Sequence, residues 1–97
     1  MSAFVIISSR AQKQIEDIDS EVQSRSQERA DEFLEILNAK VEQLSQFPES
    51  GAIYRGKIRR LLLIRFSYSL FYIFDVGQNT VTIISCFHDR SDPQTWR

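Results

Sequence analysis

The chain has 97 residues, of which 42% are hydrophobic and 26% are charged, and its net charge is −1. This balance favours one globular domain spanning residues 1–97 over a disordered chain, which would lack the apolar side chains for a core. No apolar run has membrane-spanning length, no cationic stretch precedes the apolar N-terminus as in a secretion signal, and one cysteine with one histidine makes neither an internal disulfide nor a zinc site. We therefore expect a cytoplasmic protein with no membrane partner, no metal and no cofactor.

Charge is distributed unevenly along the chain. Residues 1–50 hold five Lys/Arg and ten Asp/Glu, whereas residues 51–97 hold seven Lys/Arg and three Asp/Glu. The basic second half indicates an anionic partner, although the two halves could instead neutralise each other when they pack.

The first half of the chain predicts a strand and two helices. Phe4–Ser8 is a short apolar run, and the sequence Ser9-Arg10-Ala11-Gln12 after it has the pattern of a helix capping box. A second such pattern, Ser24-Arg25-Ser26-Gln27, separates two amphipathic stripes, and the second helix ends at Phe47-Pro48. The stripes consist of Ala11, Ile15, Ile18 and Val22 in the first helix and of Ala30, Phe33, Leu34, Leu37, Val41 and Leu44 in the second. Two such helices form a hairpin that must cover a sheet.

The second half predicts that sheet. Three apolar runs of strand length follow one another, Ile58–Phe66, Tyr68–Phe74 and Val81–Phe87, after a loop or frayed strand start at 52–56. The expected fold is α+β with the order β-α-α-β-β-β, in which the N-terminal strand joins a small, mainly antiparallel sheet. Strict alternation would put Val81, Ile83, Ser85 and Phe87 on one face of the last strand and Thr82, Ile84, Cys86 and His88 on the other. The helices can cover one sheet face only, so the other face is expected to be partly apolar and exposed, as at a partner site.

Several side chains in this half are candidates for chemistry or binding, each with a structural alternative. His88 could act as a general acid or base, or it could support the C-terminal turn. The cations Arg55, Lys57, Arg59, Arg60 and Arg65 could bind phosphates or acidic side chains, or protect a strand edge. The tyrosines Tyr54, Tyr68 and Tyr72 could stack on bases, but strand aromatics are more often core residues. Cys86 is expected to be a buried hydrophobe, and Trp96 either pins the tail or anchors an interface.

The segment 59–72, the strand Val81–Phe87 and the closing segment His88–Trp96 carry a family resemblance. The closing segment fits the pattern His-x-Arg-x-x-Pro-x-x-Trp. With the helical hairpin, these features resemble the RelE/ParE superfamily of bacterial toxins from type II toxin–antitoxin modules, and within it the ParE-like, plasmid stabilisation branch. The resemblance implies the compact RelE-like fold, a cognate antitoxin that wraps the toxin, operator DNA binding only through that antitoxin, and growth inhibition by the free toxin.

The resemblance leaves two targets, because ParE members inhibit DNA gyrase whereas RelE members cut messenger RNA on the ribosome. RNA-cleaving members usually carry an arginine inside a Tyr-Arg-Leu-Val-Tyr-like strand, and this chain has Ser69 at that position. Losing a cation at a developing phosphate charge slows cleavage by orders of magnitude, so gyrase is the leading expectation. The alternative is a ribosome-dependent endoribonuclease with His88 as its acid or base and Arg59, Arg65 and Arg90 as cations. A third hypothesis is that the protein is an inert relic that only binds its antitoxin.

The expected antitoxin surface is the uncovered sheet face with Arg59, Arg60 and Arg65, because no acid lies near them in the sequence. The residues expected to bind target or antitoxin are Arg59, Arg60, Arg65, Tyr68, Tyr72, His88, Arg90 and Trp96.

Overall fold

The computed structural model describes residues 2–89. Its elements in chain order are β1 (Phe4–Ile7), α1 (Ser9–Arg25), α2 (Gln27–Gln46), β2 (Ala52–Arg55), β3 (Ile58–Leu63), β4 (Tyr68–Asp75) and β5 (Thr80–His88). The five strands form one sheet in the order β1-β5-β4-β3-β2, in which β1 is parallel to β5 and the other pairs are antiparallel. The predicted α+β fold is confirmed, with one addition: the stretch read as a loop or frayed strand start is β2, which pairs with β3.

Single serines define both helix starts. The cap of α1 is Ser8 rather than the expected Ser9, and its hydroxyl accepts the N–H of Ala11 at 3.1 Å. Ser26 ends α1 by donating its N–H to the carbonyl of Val22, and its hydroxyl caps α2 by accepting the N–H of Arg29. The hairpin therefore has a joint of one residue. No helix within residues 2–89 is long and apolar enough to cross a membrane.

The core lies between the helical hairpin and one face of the sheet. Both predicted helical stripes supply it, although Leu34 is 39% exposed and lies outside it. The buried residues of this layer are Ala11, Ile15 and Ile18 from α1, Phe33, Leu37 and Leu44 from α2, and Leu61, Leu63, Leu70, Tyr72, Val81, Ile83 and Cys86 from the sheet. The sheet face that contacts the helices is called the helix face below, and the opposite one the outer face.

A bulge in β5 changes which of its side chains share a face, so the strict alternation expected from the sequence was wrong for this strand. Tyr72 pairs with Ile83 and Phe71 with Ser85, so Ile84 is an extra residue in β5. An extra residue shifts every later side chain to the other face. Cys86 and His88, which pair with Leu70 and Tyr68, consequently share the helix face with Ile83.

Candidate functional site

A groove of about 390 Å³ opens where the joint of the helical hairpin meets the end of the sheet. Its polar lining comes from α1, α2, the β3–β4 turn, the first residue of β4 and the last residue of β5. We call it the arginine groove, and we define it by Glu21, Arg25, Arg29, Arg65, Tyr68 and His88. The last three of these residues were predicted from the sequence as binding residues, and the first three were not.

The β3–β4 turn that forms the floor of the groove is held in a demanding conformation. Arg65 and Ser67 have φ angles of 82° and 55°, in the left-handed region that side chains other than glycine seldom adopt. Phe66 lies between them and is buried edge-on against Phe33, with ring centroids 5.4 Å apart. The N–H of Asp89 donates to the carbonyl of Ser67 at 2.7 Å, which ties the turn to the end of β5. Packing and hydrogen bonding together fix the turn and, with it, the direction of Arg65.

Tyr68 and His88 form the wall on the sheet side. They are cross-strand partners, and their rings meet edge to face with centroids 5.1 Å apart. Burial raises the pKa of Tyr68 above 10.0, and the carboxylate of Glu21 adds to that rise. Tyr68 therefore keeps its proton at neutral pH and presents a hydrogen-bond donor to the groove.

Three guanidinium groups surround this wall. Arg25 pairs with Glu21 at 3.1 Å, and Arg65 pairs with Glu32 at 2.8 Å. Arg29 lies over the ring of Phe66, 4.7 Å from its centroid, in a cation–π contact. These groups can bind an anionic side chain or a phosphate, since each arginine offers a planar fork of donors.

Arg59 and Tyr72 lie outside the arginine groove, where both form hydrogen bonds with the 49–51 loop. Arg59 donates to the carbonyl oxygens of Glu49 and Gly51, at 3.1 and 2.8 Å, and lies 3.6 Å from the Glu49 carboxylate. Tyr72 is fully buried, and its hydroxyl accepts the N–H of Gly51 at 2.9 Å. Burial raises the pKa of the Tyr72 hydroxyl. Both side chains hold the 49–51 loop, and Tyr72 has no exposed surface to offer a partner.

On the outer face, Arg60, Ser69 and Asp89 form a compact cluster, called here the Ser69 cluster. The Ser69 hydroxyl is 1% exposed and donates to the Asp89 carboxylate. Arg60 donates to the Ser69 hydroxyl at 3.0 Å and to the same carboxylate at 3.2 Å. Together with the pairs of Arg59 and Arg65, this cluster shows that the expectation of three arginines without acidic neighbours was wrong, since Glu49, Asp89 and Glu32 contact one each. The acids come from distant parts of the chain.

Of the residues expected to act in an endoribonuclease, the structure brings only some together. Arg65 and His88 share the arginine groove. Arg59 lies four residues before Leu63, the partner of Tyr68, so its backbone is about 13 Å away along the strand. Arg90 and Trp96, with the rest of the closing motif after Asp89, lie outside the described residues.

A second groove, of about 360 Å³, lies beside β3. We call it the Leu62 groove, and we define it by Lys40, Gly51, Ala52, Arg60, Leu62 and Ile64. Leu62 and Ile64 are 51% and 64% exposed. The strand β2 pairs with β3 only as far as Arg60, so the edge of β3 continues past the end of β2. Part of the apolar, exposed surface expected from the sequence is found here.

No three His, Cys, Asp or Glu side chains among residues 2–89 lie close enough to hold a metal ion. Burial raises the pKa of the Cys86 thiol to about 12, as expected of a cysteine that acts as a small core residue.

Comparisons with known proteins give the family from a sequence match and the fold from similar structures. Residues 5–93 match the family described as the ParE toxin of type II toxin–antitoxin systems, parDE. No curated protein matches the sequence. The fold is similar to the chromosomal ParDE toxin–antitoxin system of P. aeruginosa, with a TM-score of 0.74 at 18% identity, covering 90% of this chain and 96% of that one. It is also similar to the RelBE2 toxin–antitoxin complex of Mycobacterium tuberculosis, with a TM-score of 0.62 at 20% identity over 91% and 99% of the two chains. A doubly substituted E. coli RelE toxin in the free state gives 0.66 at 21% identity over 93% and 86%.

Proposed function

Because the chain belongs to the ParE toxin family of type II toxin–antitoxin systems, we propose that it arrests growth by binding DNA gyrase and that a cognate antitoxin neutralises it. The toxin assignment rests on the family. The choice of gyrase over messenger RNA rests on this chain's own residues.

The Ser69 cluster is the observation that favours gyrase over messenger RNA as the target. In RNA-cleaving relatives the corresponding strand position is a cation, as the family pattern implies. Here the position is a buried serine whose hydroxyl donates to the Asp89 carboxylate. The Asp89 carboxylate would repel a phosphate placed beside it. Arg60, the neighbouring cation, is already paired with that carboxylate and does not offset the repulsion. This arrangement favours a protein target over cleavage of a phosphodiester.

The arginine groove is the surface we assign to the target. Arg25, Arg29 and Arg65 surround the half-buried aromatic pair Tyr68–His88, a composition typical of interface centres, where arginine and tyrosine are enriched. The groove suits an acidic side chain of the target. That side chain would replace Glu21 or Glu32 as the ion-pair partner of an arginine.

Growth on induced expression is the first measurement, because it separates a toxin from an inert relic. We expect arrest that is relieved by co-expressing the antitoxin. Arg29→Ala should weaken arrest, whereas Lys13→Ala, which alters an exposed pair on the outside of α1, should not. Unimpaired growth with the wild-type protein at full expression would support the relic.

A supercoiling assay then tests the target. Purified toxin should inhibit gyrase, and Arg29→Ala should raise the inhibitory concentration about tenfold, the effect of one good interface arginine. Uninhibited gyrase at saturating toxin would rule out the proposal. In that case, primer extension on cellular mRNA tests the alternative, which requires discrete cuts that His88→Ala abolishes.

For the antitoxin we propose the Leu62 groove rather than the three arginines together, since Arg60 lines this groove whereas Arg59 and Arg65 lie outside its lining. The lining of this groove holds Lys40 and Arg60, no acid, and two exposed apolar side chains. A partner segment that alternates apolar and acidic residues fits it. In calorimetric titration, Leu62→Ala and Arg60→Ala should each weaken antitoxin binding by about 1–3 kcal/mol, and Lys13→Ala should have no effect. Equal affinities for all three variants would place the antitoxin elsewhere.

A further inference from the structure

The opposite edge of the sheet has an exposed apolar strand. Among residues 2–89, β1 is the terminal strand of the sheet and pairs with β5 alone. Its sequence is Phe-Val-Ile-Ile, and Phe4 and Ile6 are 72% and 53% exposed. Sheet edges in soluble proteins are usually protected by charged residues, proline or a covering element. An uncharged edge with two exposed apolar side chains is a surface suited to strand pairing.

The backbone of β1 shows which residues are directed outward. The N–H groups of Phe4 and Ser8 donate to carbonyl oxygens of Asn79 and Ile83, both at 3.0 Å. Because successive residues of a strand direct their polar groups to opposite sides, Val5 and Ile7 point away from β5. Ala3 also points outward, but Ser45 of α2 accepts its N–H at 2.7 Å and donates its own hydroxyl to the Ala3 carbonyl at 3.0 Å. The pairing edge therefore consists of Val5 and Ile7.

We propose that this edge pairs with β1 of a second copy of the chain, antiparallel and about a two-fold axis at Ile6. Val5 then forms a doubly hydrogen-bonded pair with the partner's Ile7, and Ile7 forms the same pair with the partner's Val5. Ile6 meets its own counterpart in the non-hydrogen-bonded position, where side chains are closest. A register centred on Val5 is excluded, because it would require the Ala3 groups that Ser45 occupies.

Charge complementarity favours a second copy as the occupant. In this register the start of α1 in one copy faces Ala3 and the adjoining end of α2 in the other. The first turn of α1 carries Arg10 and no acid, and the last turn of α2 carries no basic residue. A helix start has partial positive charge and a helix end partial negative charge, so neither the first turn of α1 nor the last turn of α2 carries the charge that would complement its own helix end. The two-fold pairing supplies that complement twice, once on each side of the axis.

Cysteine cross-linking tests the register. Two counterparts in a non-hydrogen-bonded antiparallel pair have Cα atoms about 4.5 Å apart, within the range that a disulfide spans. Mild oxidation of the purified Ile6→Cys variant should give a covalent dimer on a non-reducing gel. Cys86 is 2% exposed, so the wild-type chain should form no covalent dimer and is the negative control. The matched control is Ile53→Cys, at a 69% exposed position of β2, the strand at the other edge of the sheet, which should remain a monomer. The proposal would be overturned if Ile6→Cys gave no covalent dimer, or if Ile53→Cys gave as much of it.

Sedimentation of the free toxin tests the association itself. The wild-type apparent mass should rise toward twice the monomer mass with concentration. Ile6→Lys should raise the dimer dissociation constant by about tenfold or more, because two like charges would face each other across the axis. Ile53→Lys, on the strand at the other edge of the sheet, should leave the constant unchanged. Circular dichroism should show that both variants fold, since both positions are half exposed or more. A wild-type protein that stays monomeric at several hundred micromolar would refute the dimer, whatever its toxicity or antitoxin binding.

Discussion

At the residue scale, Gly51 and Tyr72 form a tightly constrained contact. A Cβ added to Gly51 would lie 2.7 Å from the Tyr72 hydroxyl and 2.8 Å from the Arg60 carbonyl, distances that real Cβ atoms do not show. The N–H of Gly51 depends on that same hydroxyl as its acceptor. Tyr72 was predicted to contact a partner, because a tyrosine in a strand has the same sequence pattern whether its hydroxyl meets a partner or a distant loop.

We expect Tyr72→Phe to lower the free energy of unfolding by about 1–3 kcal/mol, because it leaves the buried Gly51 N–H without its acceptor. Gly51→Ala should also destabilise the fold. The double variant should cost less than the sum of the two single changes, since removing the hydroxyl removes part of the clash. Urea unfolding of the three variants measures this coupling. Strict additivity would mean that the two groups do not meet in solution.

At the element scale, the hairpin depends on Ser26, which ends one helix and begins the next. The apolar stripes were enough to predict both helices, because helical periodicity is a local signal. The bulge at Ile84 was not predictable in the same way, since an extra residue leaves the alternation intact on either side. The acidic partners of Arg59, Arg60 and Arg65 were missed because tertiary pairing joins them; Arg65 and Glu32 are 33 positions apart. Arg25 and Arg29 were missed because no local pattern says which end of the sheet the hairpin joint meets.

Ser26→Ala should destabilise the protein by about 1 kcal/mol, the usual loss for a helix cap. The matched control is Ser20→Ala on the exposed side of α1, where alanine is the better helix former and no loss is expected. Thermal unfolding followed by circular dichroism compares them. Equal midpoints for both variants would mean that the Ser26 hydroxyl does not act as a cap.

At the scale of the whole molecule, burial of ionisable groups makes the fold sensitive to alkali. The pKa of the Cys86 thiol rises from 9.0 to about 12 in the folded chain. Between these values the unfolded chain loses the thiol proton while the folded chain keeps it, so stability is complete below pH 9 and falls as the pH rises. Tyr68 and Tyr72, whose pKa values are also raised, extend the loss above pH 10.

We expect the free energy of unfolding to fall by about 1 kcal/mol between pH 8 and pH 10, and Cys86→Ala to remove most of that fall while lowering stability at neutral pH. Urea unfolding across this range measures both effects. Parallel pH profiles for the two proteins would show that the thiol does not titrate as its burial requires.

The parallel pairing of β1 with β5 has a consequence for synthesis. These neighbours are 76 positions apart in the sequence, so β1 has no strand to join until the last element of the sheet has been made. Translation at 5–20 residues per second leaves an interval of roughly 4–15 s between the two strands. During that interval the apolar segment around Phe4 and Ile6 is an unpaired strand on a nascent chain, the kind of segment that chaperones bind. Contacts of such high sequence separation also slow folding. Completion of the sheet is therefore a late event in folding, and the helical hairpin can form well before it.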